Sequence, residues 1–254
     1  MFEWDPAYEE IEEVRPFAEV AEDRGYTLGE NAEGMLVGTY EGDNVFAEPQ
    51  DSIEASYNIL ADILGQELSE YDLRVPSASY DGGAKVRDQS SSSGVLITRE
   101  ITPDFGETRD VDFYSGSLID VFAFQALMGQ GDLLDNTSSD FDGFFAYDFG
   151  GSGADISGIY NAVKSEAEKM AERNGLGAEI ESYDEIGQRA VEMAEEVDLK
   201  SLQNKAASSD VESSAYMSVM DNIQTAKDAG KASDSVAEFF SPTSSVQDEG
   251  VELL

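Results

Sequence analysis

A chain of 254 residues with 41% hydrophobic side chains can bury a sizeable core, which argues against a disordered acidic solubiliser. Its 54 acidic side chains against 15 basic ones, a net charge of −39, leave no basic patch to neutralise phosphates, which excludes direct nucleic-acid binding. The chain has no Cys and no His, so disulfides, thiol nucleophiles, the usual zinc sites and His-based catalysis are excluded, and any chemistry must come from carboxylates, amides, hydroxyls, Lys or Arg.

In order along the chain, residues 1–30 read as an acidic helical segment, with Asp5 as N-cap before Pro6 and Tyr8, Ile11, Val14 and Phe17 at helical spacing. Residues 34–48 read as a β-hairpin: Met35 to Val37 and Val45 to Ala47 flank a turn through Glu41, Gly42, Asp43 and Asn44. Residues 51–68 read as a helix capped by Asp51 or Ser52, with Ile53, Tyr57, Leu60 and Leu64 as its buried stripe. Strands are expected around 84–87 and 94–98, separated by a Ser-rich loop at 90–93.

Residues 111–130 form a second expected helix, so apolar through Leu118, Val121, Phe122, Phe124, Leu127 and Met128 that it should be buried. Residues 129–153 are the centre of the chain. A polar loop carries Asp132, Asp135 and Asn136, and a strand from Gly143 leads into Asp148, Phe149 and Gly150. Helices are expected at 156–173, 183–202 and 211–229, and residues 231–254 read as a mobile acidic tail. No repeat is apparent. No apolar run reaches 18 residues and the N-terminus is acidic, so neither a membrane span nor a signal peptide is expected.

A net charge of −39 opposes compaction in dilute buffer but is screened in molar salt, where the Debye length is about 3 Å. The expected setting is therefore a high-salt cytoplasm, haloarchaeal in type, or the virion of a virus of such a host.

The ordered pieces resemble a kinase-like fold, nearest to the HipA-type toxin kinases and the phosphatidylinositol kinases. The resemblance covers about residues 34–202 and rests on four stretches. Val45 to Glu48 match the third strand, which carries the phosphate-binding Lys in the family. The helix with Glu54 matches the ion-pairing helix. Val95 to Glu100 match the hinge strand. Asp132 to Asn136, followed by Asp148, Phe149 and Gly150, match the catalytic and metal loops.

The resemblance implies an α+β, two-lobed protein-kinase-like fold. A small mixed β/α N-lobe would span 31–98 and a helical C-lobe 99–230, with a ligand cleft between them. It implies Asp132 as the catalytic residue for an attacking hydroxyl, and Asn136 and Asp148 as ligands of magnesium on ATP. Glu54 and the backbone at Ile97, Thr98 and Arg99 would meet the nucleotide, and Gly150, Gly151 and Gly153 would free the metal loop.

Three departures stand out. Glu48 occupies the Lys position, and no Lys precedes Lys85; Asn136 follows Asp132 by four residues rather than five; and the family's catalytic-loop His has no counterpart. Two function classes follow. One is a degenerate kinase-like protein that works by binding a protein partner, with neither ATP nor magnesium required. The other is an ATP- and magnesium-dependent phosphotransferase acting on a protein Ser/Thr or a small hydroxyl compound. Bland readings of the same residues are solvated acid at 132–142, a calcium loop lacking EF-hand spacing, and a plain strand end at Asp148.

Overall fold

The computed structural model describes residues 19, 23, 27–30, 36–40, 43–71, 73–87, 92–99, 111–131, 137–140, 143–173, 175, 184–209 and 211–232. The helical stripe expected from Tyr8 to Phe17, the loop from Asp132 to Asn136 and the tail from 233 onward lie outside them.

The class is α+β. Five strands form an antiparallel sheet in the order β1-β2-β3-β5-β4: β1 is Thr27–Glu30, β2 Leu36–Tyr40, β3 Asp43–Gln50, β4 Ala78–Arg87 and β5 Ser92–Arg99. The hairpin expected at 34–48 is present and tight, with Tyr40 paired to Asp43. Thr27–Glu30 belongs to the sheet rather than to the helical segment expected over 1–30. Ser92 and Ser93 continue β5 instead of ending a loop, because they pair with Arg87 and Val86.

The helix α1, Ser52–Glu67, starts where β3 ends. Asp51 caps it by accepting from the N–H groups of Ile53 (2.8 Å) and Glu54 (2.9 Å). Tyr57, Leu60 and Leu64 are buried as expected, but Ile53, in the first turn, is 47% exposed. Helix α1 packs on β4 and β5 and also touches two later helices, α5 (Leu199–Ser208) and α6 (Ser213–Ala232).

The helix α2, Val111–Met128, is buried throughout from Leu118 to Met128, as its all-round apolar sequence requires. Around it pack α3 (Ile156–Arg173), α4 (Glu185–Glu196), α6 and the hairpin of β6 (Thr137–Asp140) with β7 (Gly143–Ala146). The single helix expected at 183–202 is two, α4 and α5. The break falls at Val197, which is extended, and Asp198 recaps by accepting from Lys200 N–H at 2.9 Å. Buried side chains of α1, α2 and the later helices join in one hydrophobic cluster.

Candidate functional site

The candidate site is built on the segment from Asp148 to Ile156, which several elements hold in place. Helix α2 ends in a Schellman motif: Gly129 N–H donates to Ala126 O (3.1 Å) and Gln130 N–H to Gln125 O (3.0 Å). Gly129 has φ +70°, and a Cβ there would meet Ala154 O at 2.2 Å, so only glycine fits. Gly153 N–H then donates to Met128 O (3.0 Å) and Ala154 N–H to Gly129 O (2.9 Å), joining the segment to the end of α2. Gly153 itself has φ +96° and lies against the Tyr57 ring, 2.0 Å from its hydroxyl for any added Cβ.

Three buried amide side chains complete the support. Asn58, on α1, accepts from Phe149 N–H at 2.9 Å and donates to Glu54 O at 3.2 Å. Gln130 donates through Nε2 to Asp148 O at 2.6 Å, while its Oε1 is buried with no hydrogen-bond partner among the described residues. Asn222, on α6, accepts from Ile156 N–H and donates to Ala154 O, both at 2.9 Å. Buried backbone groups need such partners, because each one left unsatisfied costs about 1–3 kcal/mol. Phe149 anchors the segment from below. It is 1% exposed and meets Phe124 edge to face at 5.7 Å.

This scaffold presents Asp148 with its carboxylate exposed and its backbone left-handed at φ +50°. Asp tolerates that region better than most residues, here with Oδ1 accepting from Gly150 N–H at 3.3 Å. Gly150 is where three elements converge. An added Cβ would lie 3.2 Å from Gln50 Nε2, 3.3 Å from Asp148 Oδ1 and 3.5 Å from Glu54 Cβ. Among Gly150, Gly151 and Gly153, then, only Gly153 has a positive φ. Gly150 serves close approach, and Gly151 has open space around it.

Glu48 completes the constellation. It stands opposite Leu96, and Leu96 opposite Tyr80, on the sheet face that carries α1. Among the described residues the ladder to β2 ends with Leu36 opposite Ala47, while Glu48, Pro49 and Gln50 go on to pair with Leu96, Val95 and Gly94 of β5. Burial first, then the charges of Asp148 and Glu54, push the Glu48 carboxyl up to about 7. Half-buried Glu48 on β3, Glu54 on α1 and Asp148 beyond β7 thus share one electrostatic neighbourhood.

Of the residues expected at the site, Glu54, Asp148 and Gly150 come together. Ile97 and Thr98 lie in a strand flanked by β3 and β4, so their backbone groups belong to the ladders rather than to a ligand. Arg99, the last residue of β5, pairs with Val45. Asp132 and Asn136 lie outside the described residues. Among the described residues no group of three or more acids is arranged to hold a metal ion, so a magnesium site does not assemble from them alone. Sequence reading missed Asn58, Gln130 and Asn222. The available signal was an amide at a buried helical position, as with Asn58 between Tyr57 and Ile59.

Compared with known proteins, the chain matches no family model, no curated protein and no solved structure. Among the described residues no helix is long and apolar enough to cross a membrane.

Proposed function

We propose that the chain is a kinase-like protein whose phosphate site has been reversed in charge, and that it acts by binding a protein partner instead of transferring phosphate. The observation that carries the reading is that half-buried Glu48, at the strand position where the family has its Lys, feels the negative charges of Asp148 and Glu54. In a kinase the third strand supplies a Lys, the following helix a Glu, and the Asp-Phe-Gly turn a metal-binding Asp, with the Lys–Glu pair required for transfer. Here the third strand, the next helix and the turn supply three acids. The element order also supports it: five antiparallel strands with a helix between the third and fourth, then a helix, a hairpin and the Asp148 turn. A triphosphate brought to three carboxyls meets repulsion where the family provides attraction.

A second reading, an active magnesium- and ATP-dependent phosphotransferase, draws on the hold that Gln130 and Asn58 have on the peptide joining Asp148 to Phe149, Gln130 donating to Asp148 O and Asn58 accepting from Phe149 N–H. One experiment separates them: thermal melting in molar KCl with and without Mg-ATP, on the wild type and on Glu48→Lys. A ligand at about a hundred times its Kd stabilises a binder by ~2.7 kcal/mol. The expected result is no shift for the wild type and a gain of several degrees for Glu48→Lys, where a Lys–Glu54 pair replaces repulsion. A wild-type shift of that size, accompanied by phosphate transfer, supports the second reading and ends the first.

A further inference from the structure

We propose that Tyr147, Asp148 and Ile53 form a docking surface for an Arg-bearing segment of a protein partner, whose guanidinium stacks on Tyr147 and pairs with Asp148 while a neighbouring apolar side chain covers Ile53. The proposal rests on the reading that the chain works by binding a partner, and it names what that partner brings.

The aromatic part of the surface follows from the alternation of β7. Phe144 and Ala146 are each 1% exposed and pack toward α2, so Phe145 and Tyr147 belong to the opposite face. There Phe145 is half-buried and Tyr147 is 37% exposed, with their ring centroids 6.1 Å apart. The chain already covers the first of these rings with a cation: the Arg74 guanidinium lies over Phe145 at 5.3 Å. Tyr147 is the next ring along the same face, and an exposed carboxylate, Asp148, follows it.

The apolar part comes from α1. A Cβ at Gly150 would lie 3.3 Å from Asp148 Oδ1 and 3.5 Å from Glu54 Cβ, which brings the first turn of α1 to the 148–150 turn. Ile53 is the neighbour of Glu54 in that first turn. Of the three large hydrophobic side chains exposed among the described residues, Ile53, Tyr147 and Met217, two therefore flank one turn.

Charge complementarity selects the occupant. Asp148 and Glu54 are exposed acids at this junction, and none of the ion pairs among the described residues involves Asp148. In molar salt, where the Debye length is about 3 Å, only charges in contact attract. A ligand must then place its cation directly on ring and carboxylate. Arg does both at once, because its guanidinium is planar, weakly hydrated and able to stack, whereas the Lys ammonium is a strongly hydrated point charge.

The test is an NMR titration in molar KCl without nucleotide, using the acetylated dipeptide amides Leu-Arg, Leu-Lys and Leu-Gln. Leu-Arg is expected to shift the amides of Glu54, Tyr147 and Asp148 with a Kd in the millimolar range. Leu-Lys should bind about fivefold more weakly, and Leu-Gln should leave these amides unmoved. Tyr147→Leu, which keeps apolar bulk but removes the ring, should weaken Leu-Arg about fivefold, while Tyr147→Phe should not. Asp148→Asn, which keeps a side chain tolerant of the left-handed backbone, should weaken it about threefold. Absence of binding, equal response to Leu-Arg and Leu-Gln, equal shifts at exposed acids elsewhere such as Glu192 and Asp228, or undiminished binding by Tyr147→Leu overturns the surface. Any of these results, together with no Mg-ATP response in the melting experiment, removes this surface and leaves the partner-binding reading standing. Phosphate transfer from Mg-ATP removes that reading, whatever the dipeptides do.

Discussion

Glu48 is the residue at which pattern and chemistry part company. A strand face that packs on a helix normally carries apolar side chains, and its neighbours Leu96 and Tyr80 conform. A carboxyl there has a measurable consequence. Its proton affinity is raised in the folded state to about 7 from the ordinary 4.5. The folded protein therefore holds this proton more tightly than the unfolded chain. The contribution is fully present below about pH 4.5, falls as pH rises, and is gone above about pH 7. Replacing Glu48 by Gln is expected to raise stability at pH 8 by on the order of 2 kcal/mol and to leave it nearly unchanged at pH 4.5. Urea unfolding at both pH values checks this, and equal changes at the two would refute the assignment. That Glu48 occupies the strand position where the resemblance expects Lys was readable in the sequence; that its neighbours are Asp148 and Glu54 needed the fold.

At the scale of elements, the parts governed by local chemistry were legible. Asp51 ahead of a periodic apolar run marked the start of α1, and the bounds of α3 at 156–173 followed from helical spacing. What escaped depended on tertiary partners. Thr137–Asp140 is a polar stretch with no strand pattern, and it becomes β6 because β7 offers a ladder and Thr137 exchanges hydrogen bonds with buried Gln125 (2.9 and 3.2 Å). The break at Val197 was hidden because the apolar spacing continues through it. The amide supports yield a direct prediction. Asn222→Ala strands the Ile156 N–H and the Ala154 carbonyl and should cost about 2–4 kcal/mol. Another concerns the pair Arg189–Asp120 (2.6 Å), which ties α4 to α2 while the guanidinium lies over the Tyr71 ring at 5.6 Å. Arg189→Met should cost about 2 kcal/mol, a value discounted for the partial exposure of Arg189. Chemical denaturation of each variant gives the comparison, and losses below about 0.5 kcal/mol would show these ties to be incidental.

For the whole molecule, charge sets the conditions of folding. At −39, repulsion acts over about 10 Å in 0.1 M salt and about 3 Å in 1 M. The melting temperature should climb steeply with KCl, and the chain should lose its fold on dialysis to low salt; a flat melting temperature across that range would contradict the high-salt reading. The α+β class could be read in advance from strands followed by helices. The placement of α1 could not, because nothing in its sequence says that a second face meets α5 and α6. There Lys205 and Ser201 reach Glu67 at 2.5 and 2.9 Å, and Ser56 Oγ accepts from Glu212 N–H at 2.9 Å. A helix buried from both sides cannot be inherited by either fragment of a divided gene. Expression of residues 27–99 without the remainder would leave one flank of that rod bare, and the complementary piece would lack the wall it leans on. Dissecting this protein should therefore yield two aggregating products, and co-expression of both should restore a soluble complex.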